Sequence, residues 1–576
     1  VEQARPAGAD QALVALTRKG GRADKGGGWP ERLIALLLGL AAFWLVVGPA
    51  PLDPRNIAWL GQADAATNYL GWAFYRAGPW IWPIAANPTY GMDIAGSVMM
   101  ADANPLLAIP FKLLSPVLPQ PFQYFGGWLL LCFLLQAWFA HGIARRIAAF
   151  PEQRLAIALL FLFAPFFLIR IATPAVFHMT LCGQWQILAA FHLYLSPDLR
   201  RRTLGWTLLL AAALLTHPYL LALVGAIWLA DLLRSLAAAR EPLLHILGGA
   251  LVAVAVPVTL AELTGVFWLQ GAGAPSTVAT MNAEWGFAAF KANLLSPVDA
   301  QGWSRLLPDI VTKPEQIEGF AFLGLGTLLL ALAALAGWKR WRPIAGFQVQ
   351  HLPLLLILLG CALFAFSNRV ELGTHSFDLA WPQPLIGIGN MFRSTGRFIW
   401  PVAYALMLLA AWGVARGWRR PVASLLFVAA ALIQVADTSA GWRAYAATFA
   451  RQGPGWSTSL RSPFWAQAGK RYTAVRLAVP RNHADSYRDL DVWALANGIR
   501  TEIVYLARFD TGALDRLRRL RADQVRQGTL PRDTLWVLEG LTPEQAAKLK
   551  RRPGDFVGTV DGIPLFAPDL GPRRPL

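Results

Sequence analysis

Cysteine is nearly absent from this chain, with three in 576 residues. All three (Cys132, Cys182, Cys361) lie in apolar segments. That placement argues against a disulfide framework or a metal-binding cysteine cluster and leaves packed thiols. Their scarcity fits either face of a membrane. Charge is also sparse, at 15% of residues against 55% hydrophobic. Soluble domains carry about 25% charged residues. Acidic groups are the scarcer sign, and the net charge is +18. The short alternating segments of a β-barrel are missing. No internal repeat stands out, which weakens an inverted-repeat transporter.

What is there is a series of near-continuous apolar runs, and the mean hydropathy is +0.42. Runs long enough to span a bilayer recur over the first three quarters. The expected fold class is an all-α polytopic membrane protein with about eleven transmembrane helices and a C-terminal soluble α/β domain on the outer face. The excess of Lys and Arg reads as inner loops rather than nucleic-acid binding. Each short inner connection carries two or three of them, as at Arg145-Arg146 and Arg200-Arg201-Arg202. That bias places the N-terminus inside and the C-terminus outside.

Residues 1–32 read as a polar, basic cytoplasmic tail. The first apolar segment, from Leu33 to Pro49, reads as a retained helix rather than a cleaved signal. The membrane domain is expected over 33–437, with a large first outer loop at 53–123. The stretch from Pro105 to Leu118 is apolar but short and cut by Pro110 and Pro116. It is expected to be re-entrant or interfacial. If it spanned, every later basic cluster would fall on the wrong side. Residues 438–576 read as the soluble domain, with strands in TAVRLAVP, TEIVYLAR, DTLWVLEG and IPLFAP. Helices are expected in TGALDRLRRLRADQVRQG and TPEQAAKLKRR. No Gly-rich phosphate loop occurs there, so the domain would cap the outer face or bind an acceptor.

The first loop concentrates carboxylates, cations, tryptophans, prolines and glycines beyond what a connector needs. Asp64 could act as a general base or hold a metal. As an alternative it is a helix N-cap or a solvated charge. Asp102, in MADANPLLAIP, could assist, although Asp-Ala-Asn-Pro is also a good turn and helix start. Asp93 reads as structural. Arg76, Lys112, Arg393 and Arg397 are outer-side cations suited to a phosphate or pyrophosphate. Arg393 and Arg397 would share a helix face. The bland reading of all four is snorkelling to lipid head groups. His178, His217, Gln184 and Glu262 lie at or in apolar segments, where polar groups often mark a pathway. With Glu318, the first three are candidates for a substrate cavity. Glu318 equally suits a helix start. Two histidines and the carboxylates could ligate a divalent metal, without diagnostic spacing.

The layout resembles the GT-C superfamily of integral membrane glycosyltransferases. The resemblance rests on one span, a long outer loop with Asp64 soon after it, and Asp102 ahead of NPLLAIPFKLL. The phrases THPYL, QIEGFAFLGLG and FRSTGRFIWP are similar to those of bacterial members. The resemblance implies a polyprenyl-phosphate-linked sugar donor, used at the periplasmic face of a bacterial inner membrane. The acceptor would be a cell-envelope glycan, lipid or protein. It makes Asp64 the base or an acceptor-orienting carboxylate, with Asp102 assisting or binding a metal. Arg393 and Arg397, with Lys112, would neutralise the departing phosphate. The first loop lacks an Asp-X-Asp or Glu-X-Asp, which sets metal dependence apart from the rest. Two alternatives stand beside this reading: a lipid or polysaccharide transporter or flippase, and a non-catalytic assembly partner.

Overall fold

The computed structural model describes residues 28–570, apart from 95, 173–176, 197–198, 239–241, 267–286, 311–312, 342–348, 393, 507–510 and 550. Among the described residues, six helices are long and apolar enough to cross a membrane: Gly28–Val46, Phe125–Ile147, Pro218–Ala238, Leu243–Thr264, Thr395–Gly417 and Arg420–Trp442. A pair bent by 46°, Pro151–Leu162 and Pro165–Ile171, makes a seventh if it counts as one span. The protein is therefore a helical membrane protein by length and composition. The other expected spans are shorter helices: Trp185–Tyr194, Arg202–Thr216, Leu325–Ala336 and Leu352–Phe366.

The first helix packs on Phe125–Ile147, which also packs on Pro151–Leu162 and Trp185–Tyr194. Leu325–Ala336 packs on Trp400–Gly417 and Arg420–Asp437. Lipid tails are as apolar as leucine, so such helices need close contact and polar links to associate. One link runs from Gln136 Nε2 to the Tyr404 hydroxyl (2.8 Å) and on to Gln184 Oε1 (3.0 Å). Gln184 Nε2 then donates to the Phe166 carbonyl at 2.9 Å. Both ends of the Gln184 amide are thus engaged in holding helices together.

Close approach is sharpest at Gly126, where a Cβ would overlap the Pro51 carbonyl. Gly126→Ala must push the start of its helix off the short 3₁₀ turn Ala50–Leu52 that follows the first one. Overpacking of this kind costs about 1–3 kcal/mol. We expect less monodisperse protein and a lowered thermal midpoint by size-exclusion and fluorescence-detected melting. Gly127→Ala, whose Cβ would meet open space, is the control.

The first long loop is more structured than its sequence suggested. It holds a 15-residue helix, Ala63–Ala77. The Pro105–Leu113 helix has nine residues. At 1.5 Å per residue it is about 13 Å long, too short to cross a bilayer. This matches the expectation from its prolines.

The C-terminal region forms a five-stranded sheet in the order β4-β3-β5-β7-β6. The strands are β3 (Ala474–Leu477), β4 (Arg500–Thr501), β5 (Thr534–Val537), β6 (Phe556–Val560) and β7 (Ile563–Ala567); β1 (Arg369–Leu372) and β2 (His375–Asp378) form a separate hairpin between two apolar helices. β3 runs parallel to β4 and β5, and the β6–β7 hairpin adds antiparallel. Helices Tyr487–Ala496 and Thr511–Gln527 lie between the parallel strands in the chain. Both expected helices are present, and the second opens on a capping box between Thr542 and Gln545. TEIVYLAR differs from expectation: among its described residues only Thr501 is strand, with Arg500 before it, and Thr501 also pairs with Tyr90 of the first loop. β6 is not among the expected strands, although Asp561-Gly562 between FVGTV and IPLFA is a hairpin signal.

This sheet does not stand apart. Thr501 N–H donates to Thr89 O (2.9 Å), and Gly91 N–H donates to Thr501 O (3.0 Å). Leu70, Phe74, Tyr90, Ile94 and Ala101 of the first loop share one core with Val475, Leu477 and Leu535. Asp93 ion-pairs with Arg476, which also holds Glu502 at 2.7 Å. Asp93, read from the sequence as structural, thus ties the first loop to β3. The sheet domain and the first loop are one folded body.

Candidate functional site

The site is assembled from six chain segments at the loop end of the helices. Asp64 lies in the first turn of Ala63–Ala77. Asp102 sits in the turn before the Pro105–Leu113 helix, in a left-handed conformation (φ +49°). Asn104 repeats that conformation (φ +54°) at the N-cap, without a side-chain capping bond. A non-glycine residue there costs of order 1–3 kcal/mol, and two so close together fit a packed functional turn. His178 follows the broken helix pair. His217 ends one helix where Pro218 begins the next. Glu318 lies in the 3₁₀ turn Pro314–Gly319 and Arg397 in Thr395–Ile399.

Two groups of contacts result. In the first, Asp102 lies between two histidines. Its Oδ2 is 3.3 Å from His178 Nε2 and its Oδ1 is 3.6 Å from His217 Nε2. In the second, Glu318 Oε2 is 2.9 Å from both Arg170 Nη2 and Arg397 Nε. Arg170 Nη2 also donates to the Glu318 carbonyl at 3.1 Å. The Arg397 guanidinium lies over the Tyr219 ring (4.6 Å), and the Arg170 guanidinium over the Trp400 ring (5.2 Å).

Electrostatics join the groups. Burial pushes the Asp64 carboxyl above its ordinary value; His178 and Arg397 pull it back, and Asp102 and Glu318 add to the rise. A carboxyl raised in this way is suited to taking a proton nearer neutral pH. Glu318 goes the other way. Burial alone would raise it, but Arg170 and Arg397 hold it well below the usual carboxylate range. It is a fixed negative charge that orients two guanidiniums.

Among the described residues, Asp102, His178 and His217 form a group able to hold a metal, with ligand atoms within 4.8 Å of one another. A tetrahedral ion with ligands at about 2.1 Å has edges of about 3.4 Å, which suits these distances. The hydrogen bonding opposes it. His217 Nδ1 accepts the Tyr219 N–H at 3.1 Å. A neutral His217 therefore carries its proton on Nε2, the nitrogen that faces Asp102. That nitrogen cannot ligate a metal while the Tyr219 contact is kept. The donors fit a close Asp102–His217 contact, with the Nε2 proton turned to the carboxylate, better than a three-ligand metal site, and Asp64 is outside the group.

The structure brings together Asp64, Asp102, His178, His217, Glu318 and Arg397. It engages three other candidates elsewhere. Arg76 donates to the carbonyls of Pro119 (2.7 Å), Leu118 (2.9 Å) and Ser115 (3.3 Å), closing the turn after the Pro105–Leu113 helix. Lys112 donates to Pro79 O at 3.0 Å and lies over the rings of Tyr75 and Trp80. Burial there pushes its amine down to about 8. These two cations pin backbone in place of a phosphate, and Gln184 links helices in place of lining a cavity. Arg393 lies outside the described residues.

Arg170 was not singled out in the sequence. The available signal was a lone charge inside PFFLIRIA, where only a partner makes the cost bearable. Tyr487 was also missed. Its helix packs on Ala63–Ala77, and its phenol feels the Asp64 charge. The C-terminal body thus roofs the site.

A helical membrane protein with a sheet-containing C-terminal region and a buried acid–base cluster at one end is the class so defined. The chain belongs to the family described as a domain of unknown function, DUF6311, which matches residues 36–439. The C-terminal domain of that family matches residues 464–568. No curated protein and no solved structure matches the chain.

Proposed function

We propose that this protein is a membrane glycosyltransferase of the GT-C type. It moves a sugar from a polyprenyl-phosphate donor to a cell-envelope acceptor. In this reading the chain makes about eleven crossings of a bacterial inner membrane, with the site and the C-terminal body on the periplasmic face. The observation that carries it is the pairing of a raised carboxyl, Asp64, with a carboxylate-anchored pair of guanidiniums, Arg170 and Arg397, in one buried cluster.

The chemistry is a direct displacement. The acceptor hydroxyl attacks the anomeric carbon and forms the new C–O bond. The bond from that carbon to the phosphate oxygen breaks, and its electron pair leaves with the polyprenyl phosphate. Asp64 takes the acceptor proton. Arg397, held by Glu318, faces the charge that grows on the phosphate, where fixed donors are worth most. Asp102, placed between His178 and His217, lies beside Asp64. No step is routed through a metal.

The transporter alternative needs polar groups along the bilayer depth. Gln136 Nε2, the Tyr404 hydroxyl and Gln184 Oε1, inside the helices, bond one another.

The test is turnover of radiolabelled polyprenyl-phosphate sugars by purified protein in nanodiscs. Saturable release of polyprenyl phosphate is expected in wild type. In Arg397→Gln it falls by about 10²-fold or more, the scale of losing one charge-stabilising donor. Equal turnover in the variant, or none by wild type across a panel of common lipid-linked sugars, sinks the reading.

A further inference from the structure

Two stretches of the first loop carry large apolar side chains that the described residues leave exposed. One is Pro79-Trp80-Ile81-Trp82-Pro83; the other is Leu113-Leu114-Ser115-Pro116-Val117. Trp80, Ile81 and Trp82 are exposed, as are Leu113, Leu114 and Val117; Val117 is 81% exposed. Exposed apolar clusters on a folded surface mark an interaction site.

The stretches are held side by side. Lys112, next to Leu113, reaches across to the Pro79 carbonyl and lies 4.6 Å over the Trp80 ring. Arg76 ties down the carbonyls of Ser115, Leu118 and Pro119. Both nearby cations are thereby turned inward, and neither stretch contains a charged residue. The result is a continuous apolar, tryptophan-bearing patch without charge on its face.

Its level relative to the helices is fixed by one bond. Ile84 N–H, one residue past Pro83, donates to the carbonyl of Leu263 at 3.1 Å. Leu263 is in the last turn of the Leu243–Thr264 helix, the most apolar of the candidate spans. The patch thus continues the lipid-facing side of a span at the height where that span ends. Tryptophan is enriched at that depth, because its ring is apolar while its N–H stays wet.

We propose that these two stretches form a wedge that inserts into the lipid leaflet beside the site. Its partner is the head-group and upper acyl region of the bilayer, met side-on by Trp80, Ile81, Trp82, Leu113, Leu114 and Val117. The inference does not depend on the reaction proposed above.

The test uses the full chain reconstituted at one copy per nanodisc of phosphatidylethanolamine and phosphatidylglycerol. The three native cysteines are buried, so Ile81→Cys or Val117→Cys takes a spin label selectively. Both side chains are exposed, so neither substitution disturbs packing. Asp485→Cys, at a carboxylate 90% exposed on the C-terminal body, is the aqueous reference. Power saturation reads access to oxygen, which partitions into lipid, and to a nickel chelate, which stays in water. Labels at 81 and 117 are expected to favour oxygen several-fold over the label at 485. An oxygen-to-nickel ratio equal to that at 485 overturns the wedge. Protection from both reagents overturns it as well and points to a protein covering the patch.

Discussion

Glu318→Ala is expected to be the most destabilising single substitution at the site. Glu318 is mostly buried and offsets two guanidiniums at 2.9 Å each. Arg170 is 1% exposed, so it cannot turn to water once its partner is gone. Removing one member of a buried ion pair costs about 3–5 kcal/mol. Here one deletion strands two charges. Melting of the nanodisc-embedded protein, followed by tryptophan fluorescence, should show a large drop in midpoint for Glu318→Ala. Glu318→Gln keeps the shape but not the charge and should fall between Ala and wild type. A midpoint unchanged in both variants would mean that the guanidiniums do not depend on Glu318. The sign with pH follows from the depressed carboxyl. Its stabilisation is present above the unfolded value, about 4.3, and is lost as pH falls through the folded value. The acid side of the wild-type stability curve should therefore carry a limb that Glu318→Gln lacks.

Asp64→Asn should separate activity from stability in the opposite sense. As the proposed base it contributes about 10²–10⁴-fold to the rate, so sugar transfer should fall by that factor. Stability should hold or rise. Burial lifts the Asp64 carboxyl above its unfolded value. Between the two values the folded state binds more protons than the unfolded one, so stability declines as pH rises through that window. Asparagine removes the ionised form and with it that decline. Where transfer by wild type can be followed against pH, its acid limb should lie above the ordinary aspartate value and be absent from any residual activity of the variant. Wild-type turnover in Asp64→Asn would remove the base assignment outright. Lost transfer with a lowered midpoint would instead make Asp64 a structural residue of the Ala63–Ala77 helix.

Much of the frame was legible in the chain. Apolar runs give spans because a bilayer accepts only helices whose backbone groups are paired within the segment. Pro110 and Pro116 marked the Pro105–Leu113 helix as too short to cross. Thr542-Pro543-Glu544 marked a helix start that is present in the fold. Asp64, Asp102, His178, His217, Glu318 and Arg397 stood out as costly or misplaced polar groups, and they do converge. Cost alone could not tell which cation meets a ligand and which meets a carbonyl. Arg76 and Lys112 carry the same charge as Arg397, yet their donors go to backbone oxygens.

The sequence by itself determined the class of protein, the places where the chain leaves its apolar helices, and most of the polar residues that had to find partners. These depend on composition and period, which are local. Only the tertiary structure decided the partners. It set Asp102 between two histidines, Glu318 between two arginines, and Tyr487 over the helix that carries Asp64. It also joined the C-terminal sheet to the first loop through Thr89, Gly91 and Thr501. Each of these contacts links residues far apart in the chain, and their geometry follows from how the helices and the sheet pack rather than from any local pattern.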